Sequence, residues 1–324
     1  MKSQSILFSL VAAVTLTFGV SSSTVYAQCT ADLNGDGQID QADVAQLLAN
    51  SGPVPFPPPA GPSVITPTWA TLLEAAPDPA VVTDANLRAA IVASGFAWRI
   101  RDTSSNIEML LVPAGTFMMG CSPGDAECQG NESPAHQVTL TNAFYLGKTE
   151  VTQAQWTAKM GSNPSSFQGA NYPDAASRPV EQVSWNTIAS GSNSYMSLTG
   201  LRFPTEAEWE FACRAGTTTA RYGVPNDIAW YVSNSGGTRA VATKLPNALG
   251  LYDTLGNVWE WCADGSGPYS SGSVTNPTGT GTDRLLRGGS WRDGSNDSRG
   301  SRRLDGFGLD FAYFSVGFRV ARTP

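Results

Sequence analysis

Apolar and polar positions change texture several times along the chain, and each change predicts an element. Ile6 to Val20 is mostly apolar, with Lys2 before it and Val25-Tyr26-Ala27, a small-x-small site, just ahead of Gln28. That order predicts a secretory leader over residues 1–27. Residues 28–52 are acidic and compact in pattern, and residues 53–67 carry the run Pro-Val-Pro-Phe-Pro-Pro-Pro-Ala-Gly-Pro. A run of this kind predicts a stiff, extended spacer. In residues 68–103, Trp69, Leu72 and Leu73, then Leu87, Ala90 and Ile91, recur at helical spacing, so a mainly helical segment is expected. From 104 to 324 the pattern becomes short strands, turns and a few capped helices. Met109 to Pro113 and Gln137 to Leu140 read as strands. Helices are expected to begin at Thr152 (with Gln155), at Ser184 and at Thr205 (with Glu208), where a side-chain oxygen can hold otherwise orphaned N–H groups.

Composition supports a loop-rich fold. Of 324 residues, 41% are hydrophobic and only 15% charged, with 33 Gly and 21 Pro, so turns and irregular backbone replace long solvated helices. A net charge of -7 argues against nucleic acid as a partner, since phosphate binding needs a basic surface. No stretch after the leader is apolar enough to span a membrane, and the expected location is secreted, periplasmic or cell-surface. An oxidising compartment makes disulfides reasonable for five cysteines. Cys121 and Cys128 flank a short Ser-Pro-Gly-Asp turn and are expected to bridge. Cys213 and Cys262 are expected to pair, with two buried free thiols as the alternative. Cys29 is left over.

Asp32-Leu33-Asn34-Gly35-Asp36-Gly37-Gln38-Ile39-Asp40-Gln41-Ala42-Asp43 fits a calcium loop. Oxygen donors stand at loop positions one, three, five and twelve (Asp32, Asn34, Asp36, Asp43), with Asp40 also inside the loop. Gly37 permits the sharp turn, and Gln38 offers its backbone carbonyl. The stretch resembles one repeat of a dockerin, a module that implies a cohesin-like extracellular partner. Dockerins normally carry two repeats, and one is visible here.

A longer series of motifs follows. It runs from Val112-Pro113-Ala114-Gly115-Thr116-Phe117 through Lys148-Thr149-Glu150-Val151-Thr152 and Arg202-Phe203-Pro204-Thr205-Glu206. Asn247-Ala248-Leu249-Gly250-Leu251-Tyr252-Asp253 then leads into Gly256-Asn257-Val258-Trp259-Glu260-Trp261, followed by Arg287-Gly288-Gly289-Ser290-Trp291 and Gly317-Phe318-Arg319. As an ordered set this resembles the formylglycine-generating (sulfatase-modifying factor) family. The resemblance implies an α+β, C-type-lectin-like fold of low regular secondary structure over residues 104–324. It also implies a structural calcium at Asp253, Gly256, Val258 and Glu260, with a catalytic thiol pair holding copper(I) just after the Gly-Gly-Ser block. Those two positions are Asp293 and Ser298 here, and no cysteine lies beyond Cys262. Copper(I) is soft and oxygen donors hold it poorly, so copper is not expected and no catalytic residue is assigned.

His136 is the only histidine, which rules out a multi-histidine metal site. A serine–histidine–carboxylate triad would have to use His136, which the resemblance implies is structural, and paired carboxylates such as Asp293 and Asp297 are a further acid–base option. The sequence therefore favours a calcium-binding extracellular binding or scaffold domain, acting on a glycan or a protein. Its expected groove is lined by Trp291, Arg292, Asp293, Ser298, Arg299 and Arg302. The alternative is an oxidase of the formylglycine-generating type, or another enzyme of that family, acting on a secreted protein or small substrate. For the acidic loop, a peptide of residues 28–52 has almost no core of its own and should fold only with calcium. Circular dichroism with calcium and with chelator checks this; identical spectra would refute it.

Overall fold

The computed structural model describes residues 10–18, 21–29, 35–36, 38, 42–43, 46 and 64–324. The chain divides into two compact units, Met1–Pro62 and Ser63–Pro324.

In the first unit, strands β1 (Leu10–Phe18) and β2 (Ser21–Cys29) pair antiparallel, with Val14 and Val25 as register partners. Val and Thr make up four of the nine residues of β1, as the pleated backbone favours. The expected leader boundary after Ala27 falls within β2. Asp32, Asn34 and Asp40 of the expected calcium loop lie outside the described residues, as does most of the proline-rich spacer. Of the rest, the Gln38 N–H donates to Asp36 Oδ1 at 2.9 Å and Asp43 is buried.

In the second unit, strands β3 (Ala70–Glu74), β4 (Arg99–Asp102), β5 (Glu108–Val112), β8 (Phe144–Gly147) and β14 (Ala321–Arg322) form a five-stranded sheet. Its order is β14-β8-β5-β4-β3. Strands β6 (Gly115–Met119), β7 (His136–Leu140) and β10 (Val274–Thr275) make a second sheet. The third sheet orders β12 (Arg303–Phe307), β11 (Arg284–Arg287), β9 (Trp259–Gly265) and β13 (Val316–Gly317). Helices are short: α1 (Ala85–Ala93), α2 (Gln153–Met160), α3 (Trp185–Ala189), α4 (Tyr195–Thr199), α5 (Glu206–Arg214) and α6 (Pro225–Ile228).

Three helix starts follow the sequence. Thr152 and Thr205 form capping boxes with Gln155 and Glu208, and the Ser184 hydroxyl accepts from the Thr187 N–H at 3.1 Å. Each satisfies N–H groups that have no partner inside the helix. Helix α2 ends at Gly161, whose φ of 73° is the left-handed cap that glycine adopts most easily.

The segment 68–103 is not mainly helical. Trp69, Leu72 and Leu73 lie on or beside β3, and only Ala85–Ala93 is helix. Pro67 and Pro77 leave too few residues between them for a helix that stands alone. A neighbouring sheet edge supplies the hydrogen bonds instead: Thr71 pairs with Arg101, and β4 pairs onward with β5. Arg99 fastens the register by reaching Glu108 at 2.9 Å and also Glu74. Residues before 104 are thus part of the large domain's sheet. The core behind it is aromatic: Trp156 stacks on Tyr195 with centroids 5.4 Å apart, and Phe318 meets both edge-on.

Candidate functional site

The turn from Asp253 to Val258 enters β9 and is almost wholly buried. Asp253 (φ 53°) and Asn257 (φ 58°) both adopt left-handed backbone, which Asp and Asn tolerate better than most residues. Gly256 has φ 81°, and a Cβ there would lie 2.4 Å from the Trp230 carbonyl oxygen, so only glycine fits. Asp253 Oδ2 accepts from the Ala242 N–H at 2.7 Å.

Glu260 is committed elsewhere than expected. Arg319 Nε and Nη2 each reach one of its oxygens at 2.6 Å, and Trp209 Nε1 donates at 2.7 Å. Glu260 is first of all the counter-ion of Arg319. The sequence reading also missed Glu150, which belongs to the same pocket of charge. Its oxygens accept from the Val258 N–H at 3.1 Å and from Asn257 Nδ2 at 2.7 Å. Three buried carboxylates thus share one buried guanidinium. Burial raises the Glu150 carboxyl well above its ordinary value, with Asp253 and Glu260 adding to the effect; burial also pushes Asp253 up to about 6. The donor set is all oxygen and carries excess negative charge, which suits a hard cation.

The expected groove is only partly a surface. Trp291 is half-buried with its ring edge-on to Phe167 at 5.3 Å, Arg292 is exposed, and Asp293 is half-buried. Ser298, Arg299 and Arg302 are instead buried and structural. Arg299 forms a bidentate pair with Glu132, both contacts at 2.7 Å, and reaches Asp125 at 2.8 Å. Arg302 Nε donates to Asp297 Oδ1 at 2.6 Å, which occupies the Asp297 carboxylate considered for acid–base work. At the first position where the resemblance places a thiol, Asp293 Oδ2 accepts from Trp259 Nε1 at 2.8 Å and from the Ser290 hydroxyl. At the second, Ser298 Oγ is buried without a hydrogen-bond partner among the described residues.

The cysteines divide. Cys121 and Cys128 form the expected disulfide, whose loop carries Asp125 toward Arg299. Glu132 lies close to both sulfurs, but Arg299 and Ser301 occupy its oxygens. Cys213 and Cys262 are not paired: both are free and buried. Cys213 sits in a hydrophobic cluster beside Trp209 and Leu255, and burial pushes its thiol up to about 11, as suits an inert core residue.

His136 is buried against Tyr269, with Nδ1 3.1 Å from the Pro134 carbonyl oxygen. It helps line a cavity of about 240 Å³ with Glu206, Asp264 and Arg303. Among the described residues, no helix is long and apolar enough to cross a membrane.

Residues 98–324 match the sulfatase-modifying factor enzyme 1-like domain, and the chain belongs to that family. It is 30% identical over 270 residues to a formylglycine-generating enzyme of Streptomyces coelicolor, covering 63% of this chain and 83% of that protein. It is 33% identical over 224 residues to serine/threonine-protein kinase pkn1 of Chlamydia pneumoniae, covering 60% of this chain. The match spans 35% of the kinase's length. Among solved structures, Treponema denticola variable protein 1 superposes with a TM-score of 0.59 at 31% identity, over 67% of this chain and 95% of that one. PvdO from Pseudomonas aeruginosa, at 24% identity and a TM-score of 0.59, shares the fold.

Glu181 generates a pH prediction. It is fully buried, Oε1 accepts from the Phe167 N–H at 3.0 Å, and Oε2 has no hydrogen-bond partner among the described residues. Burial pushes its carboxyl from 4.5 up to about 7. Between these values the folded protein holds a proton that the unfolded chain releases, so this group's stabilisation is present at low pH and is lost as pH rises through the window. Glu181→Gln should remove up to about 3 kcal/mol of that pH dependence. Urea unfolding of both proteins at pH 4.5 and pH 8 measures the difference; parallel losses would contradict it.

Proposed function

We propose that this protein is an extracellular, calcium-stabilised binding domain that has left the oxidative chemistry of formylglycine-generating relatives behind. One observation carries the reading: Asp293, at a position where the resemblance places a thiol, is held by Trp259 and Ser290. Asp293 and Ser298 offer a carboxylate and a hydroxyl, a donor set that does not fit copper(I). The leader pattern of residues 1–27 supports export, and the loop at Asp32, Asn34, Asp36, Gln38, Asp40 and Asp43 supports a first calcium and a cohesin-like partner.

A second calcium would sit against Asp253 and Glu150, with carbonyls from Gly256 and Val258. Glu260 would then contribute beside its pair with Arg319. When bound, the ion supplies positive charge to a turn that has too many buried carboxylates. All nine Trp lie at position 69 or beyond, so tryptophan fluorescence reports melting of the large domain in the full chain. Calcium should raise that Tm by several degrees, and Asp253→Asn, which tolerates the same backbone, should blunt the rise. Equal melting with calcium and with chelator would remove this site.

The catalytic question has its own measurement. Incubated with copper, oxygen and reductant, the protein should leave a sulfatase-type cysteine peptide unchanged by mass spectrometry. Asp293→Cys combined with Ser298→Cys should regain copper(I) binding without turnover, since the groove must also position a peptide. A cysteine-to-aldehyde mass loss with the unmodified protein would establish the oxidase instead.

A further inference from the structure

The binding reading leaves open what the surface beside Trp291 recognises. Most cations of this acidic chain are neutralised, because the buried arginines and several half-buried ones sit in ion pairs. Three near the site have no ion-pair partner among the described residues: Arg239, Lys244 and Arg292. Each lies over an aromatic ring and also donates to a neutral oxygen: Arg239 to the Ser235 hydroxyl, Lys244 to the Asn226 carbonyl and Arg292 to the Tyr313 hydroxyl. The Arg292 guanidinium lies 5.3 Å from the ring centroids of both Tyr313 and Phe314. Lys244 Nζ is 3.9 Å from the Trp230 centroid, and the Arg239 guanidinium is 5.4 Å from the same ring. A cation fixed over a ring has already lost much of its side-chain freedom, so an incoming carboxylate orders less on binding.

Backbone hydrogen bonds join these residues into one stretch. Asn257 accepts from the Trp291 N–H through its carbonyl and from the Arg239 N–H through its side chain, both at 2.9 Å. The Asn257 N–H in turn donates to Trp230 at 2.9 Å. The nearby Asp174 is taken by Arg178 at 2.8 Å. Two aliphatic side chains flank the cations and face solvent: Val232 at 54% and Leu245 at 60% exposure. Val232 is fixed beside Arg292 by its N–H to the Asp293 carbonyl at 3.0 Å, and Leu245 follows Lys244 directly.

We infer that this face docks a peptide segment of a partner protein that carries carboxylates interleaved with aliphatic side chains. Unpaired, pre-ordered cations call for negative charge, and exposed Val and Leu call for apolar side chains. A saccharide is the poorer fit. It would stack on open aromatic faces, and here cations already lie over Trp230, Tyr313 and Phe314.

The inference rests on the binding reading, and its test is separate from copper chemistry. Phage-displayed random peptides are selected on the full chain and counter-screened on Arg239→Ser/Lys244→Ser/Arg292→Ser. All three changes remove side chains without ion pairs, and matching melting curves confirm that the variant folds. The expected result is an enriched peptide set containing Asp or Glu next to aliphatic residues. Binding should fall at least tenfold on the triple variant, at least threefold on Arg292→Ser alone, and steeply with added salt. Peptides without acidic residues, equal binding to the variant, no enrichment, or capture of polygalacturonate in place of peptides would each overturn it. Peptide binding that persists in a protein found to oxidise cysteine would instead leave this inference standing and overturn the non-catalytic reading.

Discussion

The large domain depends on buried guanidinium groups that answer two needs at once. With few long helices or wide sheets, many loop carbonyls end up inside and must find donors. Arginine brings five N–H groups in a fixed fork, enough to pair with a carboxylate and still reach backbone oxygens. Arg319 binds Glu260 while donating to the carbonyls of Gly147 at 3.0 Å and Tyr252 at 2.9 Å. Arg287 binds Glu210 while donating to Gly300 at 2.7 Å and Ser301 at 2.9 Å. Arg214 completes the set, pairing with Glu210 at 2.8 Å and donating to Gly120 at 2.6 Å. Helix α5 and strand β9 supply these carboxylates, and Glu132 answers the buried Arg299 in the same way. Removing one partner of such a pair leaves a buried charge and several orphaned carbonyls, a far larger loss than the pair's own net contribution.

This scaffold explains what could be read from sequence. Short-range signals translated well: a hydroxyl residue three positions before Gln155 or Glu208 is enough to place a helix start, because both halves of the capping box are local. The ordered motifs gave the family for the same reason, each being a turn or a close approach with strict residue demands, as at Gly256. Long-range assignments were harder. Nothing near Glu260 in sequence shows that Arg319 will claim it, and Glu150 is more than a hundred positions from the turn it joins. Arg299 looked like a groove residue by position after Trp291, yet Glu132 and Asp125 draw it inward. The helical reading of Trp69 to Leu73 failed because spacing alone cannot show that β4 offers an open edge nearby.

Under the proposed reading, Asp293 marks a site that changes use while its frame stays in place. Ser290 and Trp259 are polar hydrogen-bond donors facing one point, and a carboxylate answers both. A thiol in that position would accept weakly from each. The frame therefore rewards a carboxylate in this chain, and the neighbouring Trp291 and Arg292 remain at the surface.

The five-stranded sheet carries one further consequence. The family match begins at residue 98, yet β3 at Ala70–Glu74 covers the outer edge of β4. A polypeptide begun at the family boundary would leave the row of N–H and C=O groups from Arg99 to Asp102 open to any strand that arrives. The residues that precede the recognisable domain therefore complete its sheet and pair the edge of β4, a role that similarity to relatives alone would not disclose.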